Sequence, residues 1–177
     1  MPSADERVVA VFGSSDPQAG EEEYELARGV GRRLAELGYA IANGGYGGTM
    51  EASALGAVEA GGRTIGVTCA CWPARPNRFI QTVIDTPDLA ERVARLIEIA
   101  TGGYVVLPGA TGTLAELAWV WEKTCKAIMA RRPIVCVGDF WKPLIDMMSA
   151  ARARSAGFVA LIHRPDQLDE HFPRARP

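Results

Sequence analysis

Lysine is scarce in this chain. Lys123, Lys126 and Lys142 are the whole complement, and the remaining basic residues are arginine. Chemistry that runs through a Schiff-base lysine therefore has three candidates, none in the glycine-rich or acidic setting that marks a cofactor lysine. No stretch approaches the ~20 apolar residues needed to span a bilayer. The opening MPSADERVVAVFG carries early acids and too short an apolar run for a signal peptide. A basic block is also missing: 19 Lys+Arg against 21 Asp+Glu leave a net charge of −2, which argues against a nucleic-acid partner. The four cysteines, at 69, 71, 125 and 136, form no CxxC pair, and His163 and His171 lie far along the chain from Cys69 and Cys71. Zinc needs four well-spaced ligands, so no metal is expected and the thiols read as buried and inert. The default is a cytoplasmic protein.

What is present is an ordinary globular composition, 48% hydrophobic and 23% charged over 177 residues. That length favours one domain with a full core, 1–177, with 1–6 and 173–177 loose. Apolar runs at 8–12, 39–42, 64–68, 80–84, 104–107, 134–137 and 159–162 read as strands. Helical patterns fall between them at 21–37, 49–60, 87–100, 112–129 and 140–153, the first closed by Gly38. Thr86-Pro87 reads as a helix start, with Leu89, Val93, Leu96 and Ala100 as one apolar face. Strands that are nearly continuous in apolar residues and alternate with helices specify an α/β fold. It is a Rossmann-like doubly wound sandwich with a mostly parallel sheet of about six to seven strands. Such folds bind ligands beyond the C-terminal ends of strands, at a topological switch point.

Three strand ends carry small, polar residues: Gly13-Ser14-Ser15, then NGGYGGT from Asn43 through Gly44 and Gly45 to Thr49, then PGATGT from Pro108 to Thr113. Glycine lets backbone N–H groups approach an anion, and the following helix N-terminus adds partial positive charge. In the third turn Gly109 and Gly112 can shape a nest of N–H groups, with Thr111 and Thr113 adding hydroxyls. Neither GxxxxGK[ST] nor GxGxxG occurs, which counts against kinase-like and standard NAD chemistry.

Two charged residues stand near these turns. On the helix after PGATGT the core stripe reads Leu114, Leu117, Ala118, Trp121, Cys125 and Ile128, and Glu116 lies ~160–200° from Leu114 and Ala118. Glu116 reads equally as a carboxylate stabilised by a helix N-terminus and as one poised beside bound phosphate. Arg92 sits on the edge of its helix's apolar stripe, where it can snorkel over the core or reach into a cleft. Arg95 has Glu91 at i−4 and reads as a surface pair.

VVLPGATGTLAELAWVWE resembles the PGGxGTxxE signature of the LOG (LONELY GUY) family, many of whose members once carried a lysine decarboxylase label. The similarity runs from VVAVFGSS through NGGYGGTMEASALGAVEAGGRTIGV to RRPIVCVGDFWKPLI, most of residues 8–150. It implies a Rossmann-like homodimer, or a higher homo-oligomer, that hydrolyses a cytokinin-type or AMP-like nucleoside 5′-monophosphate to free base and ribose 5-phosphate without a cofactor. It maps the 5′-phosphate onto Gly109, Thr111, Gly112 and Thr113, the catalytic glutamate onto Glu116 and the catalytic arginine onto Arg92. The sequence departs from the family pattern at Ala110, which replaces the second glycine of PGG, and at LAERV, where many members have MHxRK. These departures bear on the base more than on the phosphate. A nucleotide-binding or sensing module without turnover is the alternative, and the lysine count argues against a decarboxylase.

Overall fold

Each of the seven apolar runs becomes a strand, and all pair in parallel. The computed structural model describes residues 7–174. In it β1 is Val8–Phe12, β2 Ala40–Asn43, β3 Thr64–Cys69, β4 Thr82–Thr86, β5 Gly103–Val106, β6 Ile134–Val137 and β7 Val159–Ile162. The helices are α1 Glu22–Glu36, α2 Thr49–Glu59, α3 Leu89–Ile99, α4 Thr111–Cys125, α5 Lys142–Ala151 and the one-turn α6 Ala153–Ala156. Short 3₁₀ turns occupy Asp139–Trp141 and Pro165–Glu170.

The strand order is β4-β3-β2-β1-β5-β6-β7. The chain works outward from β1 to the β4 edge, then returns to place β5 beside β1, with Val9 opposite Gly103 and Phe12 opposite Val106. The winding direction reverses between β1 and β5. Loops leaving those two strands diverge there and open a crevice at the carboxyl end of the sheet.

Both sheet faces are covered, which is why the strands carry apolar residues almost without alternation. On one face Ala10, Phe12, Val67, Tyr104 and Val106 pack under α3 and α4 through Leu96, Ile97, Leu117, Val120 and Trp121. On the other, Val9, Val11, Ile41 and Val105 pack under α1 and α2 through Ala27, Val30, Leu34 and Ala57. Gly38, at φ +86°, closes α1 as a left-handed C-cap: its N–H and that of Tyr39 return to the Ala35 and Leu34 carbonyls at 2.9 and 3.0 Å.

Several expectations change in detail. The start of α3 is Asp88, whose carboxylate accepts the Glu91 N–H at 2.8 Å. Thr86 instead ends β4, its hydroxyl donating to the Thr68 carbonyl at 2.7 Å. Leu89 is consequently exposed, and the buried face of α3 runs through Leu96, Ile97 and Ile99. Arg95 pairs with Glu98 at 2.5 Å. In α4 the inward face is Thr113, Glu116, Leu117, Val120, Trp121 and Thr124, whereas Leu114, Ala118 and, beyond the helix, Ile128 are exposed. Glu116 does point away from Leu114 and Ala118, but it points inward. At the C-terminus Phe172 is buried and Tyr39 Oη donates to the Pro173 carbonyl at 2.7 Å, so the chain is fastened through residue 173. The expected loose residues 1–6 and 175–177 lie outside the described residues.

The crossing of α1 and α2 is made backbone to backbone. A Cβ on Gly31 would lie 1.9 Å from the Ser53 carbonyl oxygen, and one on Gly56 would lie 1.9 Å from that of Arg28. Alanine favours a helix over glycine by about 1 kcal/mol, yet here overpacking of ~1–3 kcal/mol opposes it. Gly56→Ala is therefore expected to lower the urea midpoint. A raised midpoint would show that the helices separate freely.

Candidate active site

The crevice at the β1/β5 switch point holds a cleft of about 610 Å³ that takes in Gly13, Ser14, Ser15, Gly44, Arg92, Thr111, Gly112, Thr113 and Glu116. Residues scattered over 104 positions are thus brought together by three strand ends and two helices. A shallower groove of about 660 Å³ on the far side of Ala110 includes Gly109, Asp16, Glu21 and Glu23. Asp16 lines both, but the groove adds Glu21 and Glu23 with no cation in its lining, whereas the cleft contains Arg92 and is the candidate.

The three glycine turns do different jobs. After β1, the Ser14 carbonyl accepts both the Thr49 N–H (2.9 Å) and the Thr49 hydroxyl (3.0 Å), which fastens the start of α2 to the first turn. A Cβ on Gly13 would lie 2.2 Å from that same hydroxyl oxygen. After β5, Ala110 gives α4 no side-chain cap, and the first backbone bond into the helix is Leu114 N–H to the Ala110 carbonyl at 3.0 Å. The N–H groups of Thr111, Gly112 and Thr113 precede that bond and form the partially positive helix end. Gly109 lies against Thr113, whose hydroxyl oxygen would be 2.3 Å from a Cβ there.

The second turn differs from expectation. Gly45 N–H donates to Asn43 Oδ1 at 2.8 Å, and Gly45 faces Thr68 and Gly66. Its N–H is therefore engaged within the turn instead of facing an anion. Gly44 is the seat of Arg92: a Cβ there would lie 1.8 Å from an Arg92 guanidinium nitrogen. The missing side chain makes room for a cation.

Arg92 reaches into the cleft. Its Nε donates to the Val67 carbonyl at 2.8 Å, its guanidinium carbon lies 5.6 Å from the centre of the Tyr46 ring, and Nη1 stands 3.7 Å from Glu116 Oε1. Glu116 is 7% exposed. Burial pushes its carboxyl up to about 7, and the opposing pull of Arg92 only limits the rise. A carboxyl group balanced between its two forms near neutrality, beside a fixed cation, is suited to stabilising positive charge or to exchanging a proton.

The sequence reading did not single out Tyr46, Met50 or Trp72, which line the other end of the same cleft. The length and Pro/Arg content of the 71–78 loop were the available signal. The cysteine expectation also changes, because Cys69 and Cys71 are joined in a disulfide. Cys69 is buried at the end of β3 and Cys71 exposed at the start of the loop, close enough in sequence and space to bond. Cys136 is a free, buried thiol pushed up to about 12 by burial, as an inert core residue should be. Among the described residues no three His, Cys, Asp or Glu side chains cluster to hold a metal ion, and no helix is long and apolar enough to cross a membrane.

The SLOG cluster4 family matches residues 6–161. The chain belongs to that family. An uncharacterised protein of Archaeoglobus fulgidus is 30% identical over 133 residues, 73% of this chain and 83% of its own length. The cytokinin riboside 5′-monophosphate phosphoribohydrolase of Rhodococcoides fascians is 27% identical over 159 residues, covering 85% of this chain and 77% of that protein. The pyrimidine/purine nucleotide 5′-monophosphate nucleosidase of Escherichia coli is 33% identical over 111 residues, 56% of this chain and only 24% of that larger protein. Among solved structures, the molybdenum cofactor binding protein of Rippkaea orientalis shares the SLOG cluster4 chain's fold with a TM-score of 0.78 at 21% identity, over 95% of this chain and 96% of that one.

The raised Glu116 makes stability depend on pH. Between about 4.5 and 7 the folded protein keeps a proton that the unfolded chain has lost, so this contribution is present at low pH and disappears as pH rises through 7. Glu116→Gln removes the ionisation. The variant is expected to gain ~2 kcal/mol on the wild type between pH 5 and pH 8 in denaturant titrations. Parallel pH profiles for the two proteins would contradict a raised carboxyl.

Proposed function

We propose that this protein hydrolyses the N-glycosidic bond of a purine nucleoside 5′-monophosphate, AMP or an N6-modified cytokinin-type nucleotide, giving free base and ribose 5-phosphate. The observation that carries this reading is the buried Glu116 held 3.7 Å from Arg92, one turn inside the uncapped start of α4. The names of the Rhodococcoides and Escherichia relatives support it.

In this reading the 5′-phosphate docks on the N–H groups of Thr111, Gly112 and Thr113, with Gly109 shaping the turn and Gly13, Ser14 and Ser15 as the facing wall. That places the ribose beside Glu116. Breaking the bond from C1′ to the base nitrogen leaves an oxocarbenium-like ribosyl cation, as in glycoside hydrolysis. The Glu116 carboxylate stabilises that cation, orients the water whose oxygen bonds to C1′ and takes the proton that water loses, while the base departs with the bonding electron pair and is protonated by solvent. Arg92 donates to the ribose or the departing base. The phosphate supplies binding energy remote from the bond that breaks. Neither a metal nor an organic cofactor enters the scheme, and no lysine lines the cleft, so the decarboxylase label finds no chemistry here.

Purified protein incubated with a panel of nucleoside monophosphates is expected to release ribose 5-phosphate. Its kcat/KM should rise with pH through a group near 7, as the carboxylate form accumulates. Glu116→Gln should lower turnover by ~10²–10⁴-fold while AMP still binds. Unchanged turnover in that variant overturns the mechanism, and AMP binding without any product makes the protein a nucleotide-binding module.

The same reading includes a homodimer. Leu114 and Trp119, 38% and 47% exposed, stand on the outer side of α4, two large apolar side chains available to a second copy. Trp119→Glu is expected to halve the mass measured by light scattering. An unchanged mass places the contact elsewhere.

A further inference from the structure

The cleft has two chemically different ends, and the phosphate reading accounts for only one. From the start of α4, Glu116 leads to Arg92, Arg92 to the ring of Tyr46, and Tyr46 to Trp72, whose ring centre is 6.3 Å from that of Tyr46 with the planes inclined by 33°. Trp72 is 59% exposed although it lines the cleft, so much of its indole surface is uncovered. The Tyr46 ring and the main chain that carries Trp72 are also held in place. The Cys69 N–H donates to Tyr46 Oη at 3.0 Å, and the Trp72 N–H donates to the Cys69 carbonyl at 3.0 Å. Asn77 Nδ2 donates to the Tyr46 carbonyl at 2.8 Å and to that of Gly45 at 3.1 Å, tying the Trp72 loop to the Tyr46 turn. The Cys69–Cys71 bond fixes the chain one residue before Trp72.

We propose that Tyr46 and Trp72 form the base subsite, an aromatic corner on which the planar heterocycle of the nucleotide stacks, and that Trp72 sets a preference for purines over pyrimidines. The inference rests on the nucleotide reading above and adds to it the residues that select the base. A ligand whose phosphate sits at α4 and whose C1′ lies beside Glu116 has its base on the far side of Arg92, where these rings are. A flat π-system gains by covering an indole face, and a bicyclic base covers more of it than a monocyclic one. Arg92, facing both Glu116 and the Tyr46 ring, then marks the position of the bond between sugar and base.

The test is binding, measured by calorimetry with AMP, UMP and ribose 5-phosphate on the full chain with Trp72, Trp72→Ala or Trp72→Phe, each carrying Glu116→Gln so that the nucleotides stay intact. Because Trp72 is largely exposed, truncating it leaves the core untouched. Base–aromatic stacking is worth enough that Trp72→Ala should weaken AMP roughly tenfold or more. UMP should lose less, ribose 5-phosphate should be unchanged, and Trp72→Phe should restore most of the AMP affinity. Unaltered AMP binding in Trp72→Ala overturns the subsite, and so does an equal loss for AMP and ribose 5-phosphate. In either case the phosphate site and the hydrolase reading stand. A chain with Trp72 that binds ribose 5-phosphate but not AMP removes the nucleotide reading itself, and this proposal with it.

Discussion

One arginine side chain joins the parts of this cleft. Arg92 leaves α3, donates to a carbonyl of β3, lies across Gly44 after β2 and faces Glu116 on α4. Four segments distant in sequence share that cation, and each is shaped for it. Asp88 starts α3 so that Arg92 falls one turn in, with its N–H on the Asp88 carbonyl. Gly44 lacks the Cβ that would displace the guanidinium. The separation from Glu116, 3.7 Å, is longer than the ~2.7–2.9 Å of a charge-assisted hydrogen bond. Arg92 therefore offsets part of the carboxylate's loss of hydration and no more, which is why Glu116 settles near neutrality.

Much of the architecture is legible in the chain because parallel strands buried on both faces leave unbroken apolar runs, and turns such as Gly38 end helices by a local rule. The orientation of α4 is less so. Leu114, Ala118 and Trp119 give its outer side apolar residues as well, and periodicity alone cannot say which stripe meets the sheet. The start of α3 shifts for a similar reason: Thr86 and Asp88 are both good caps by residue type, and only the bond from Thr86 to β3 assigns the threonine to the strand.

At the site, Glu116 and the glycine/threonine turn stand out because they depend on contiguous residues. Tyr46 and Trp72 do not stand out, since their meeting depends on Asn77 and on a bond between Cys69 and Cys71 that an uninformative cysteine spacing conceals. Gly44 illustrates a third kind of limit. A glycine beside a strand end reads as room for an anion, and the same missing Cβ serves equally well to seat a guanidinium.

The Cys69–Cys71 bridge encloses a single intervening residue. A loop that short restrains little of the unfolded chain, since the entropic benefit of a cross-link grows with loop length. Its effect is confined to the few atoms between β3 and the indole of Trp72. The α4 end of the cleft is built from main-chain geometry and a helix terminus, which thiol reagents do not touch. The aromatic end is tethered by a bond that they break. The bridge thus bears on one end of the cleft alone, and the turn that opens α4 keeps its shape without it.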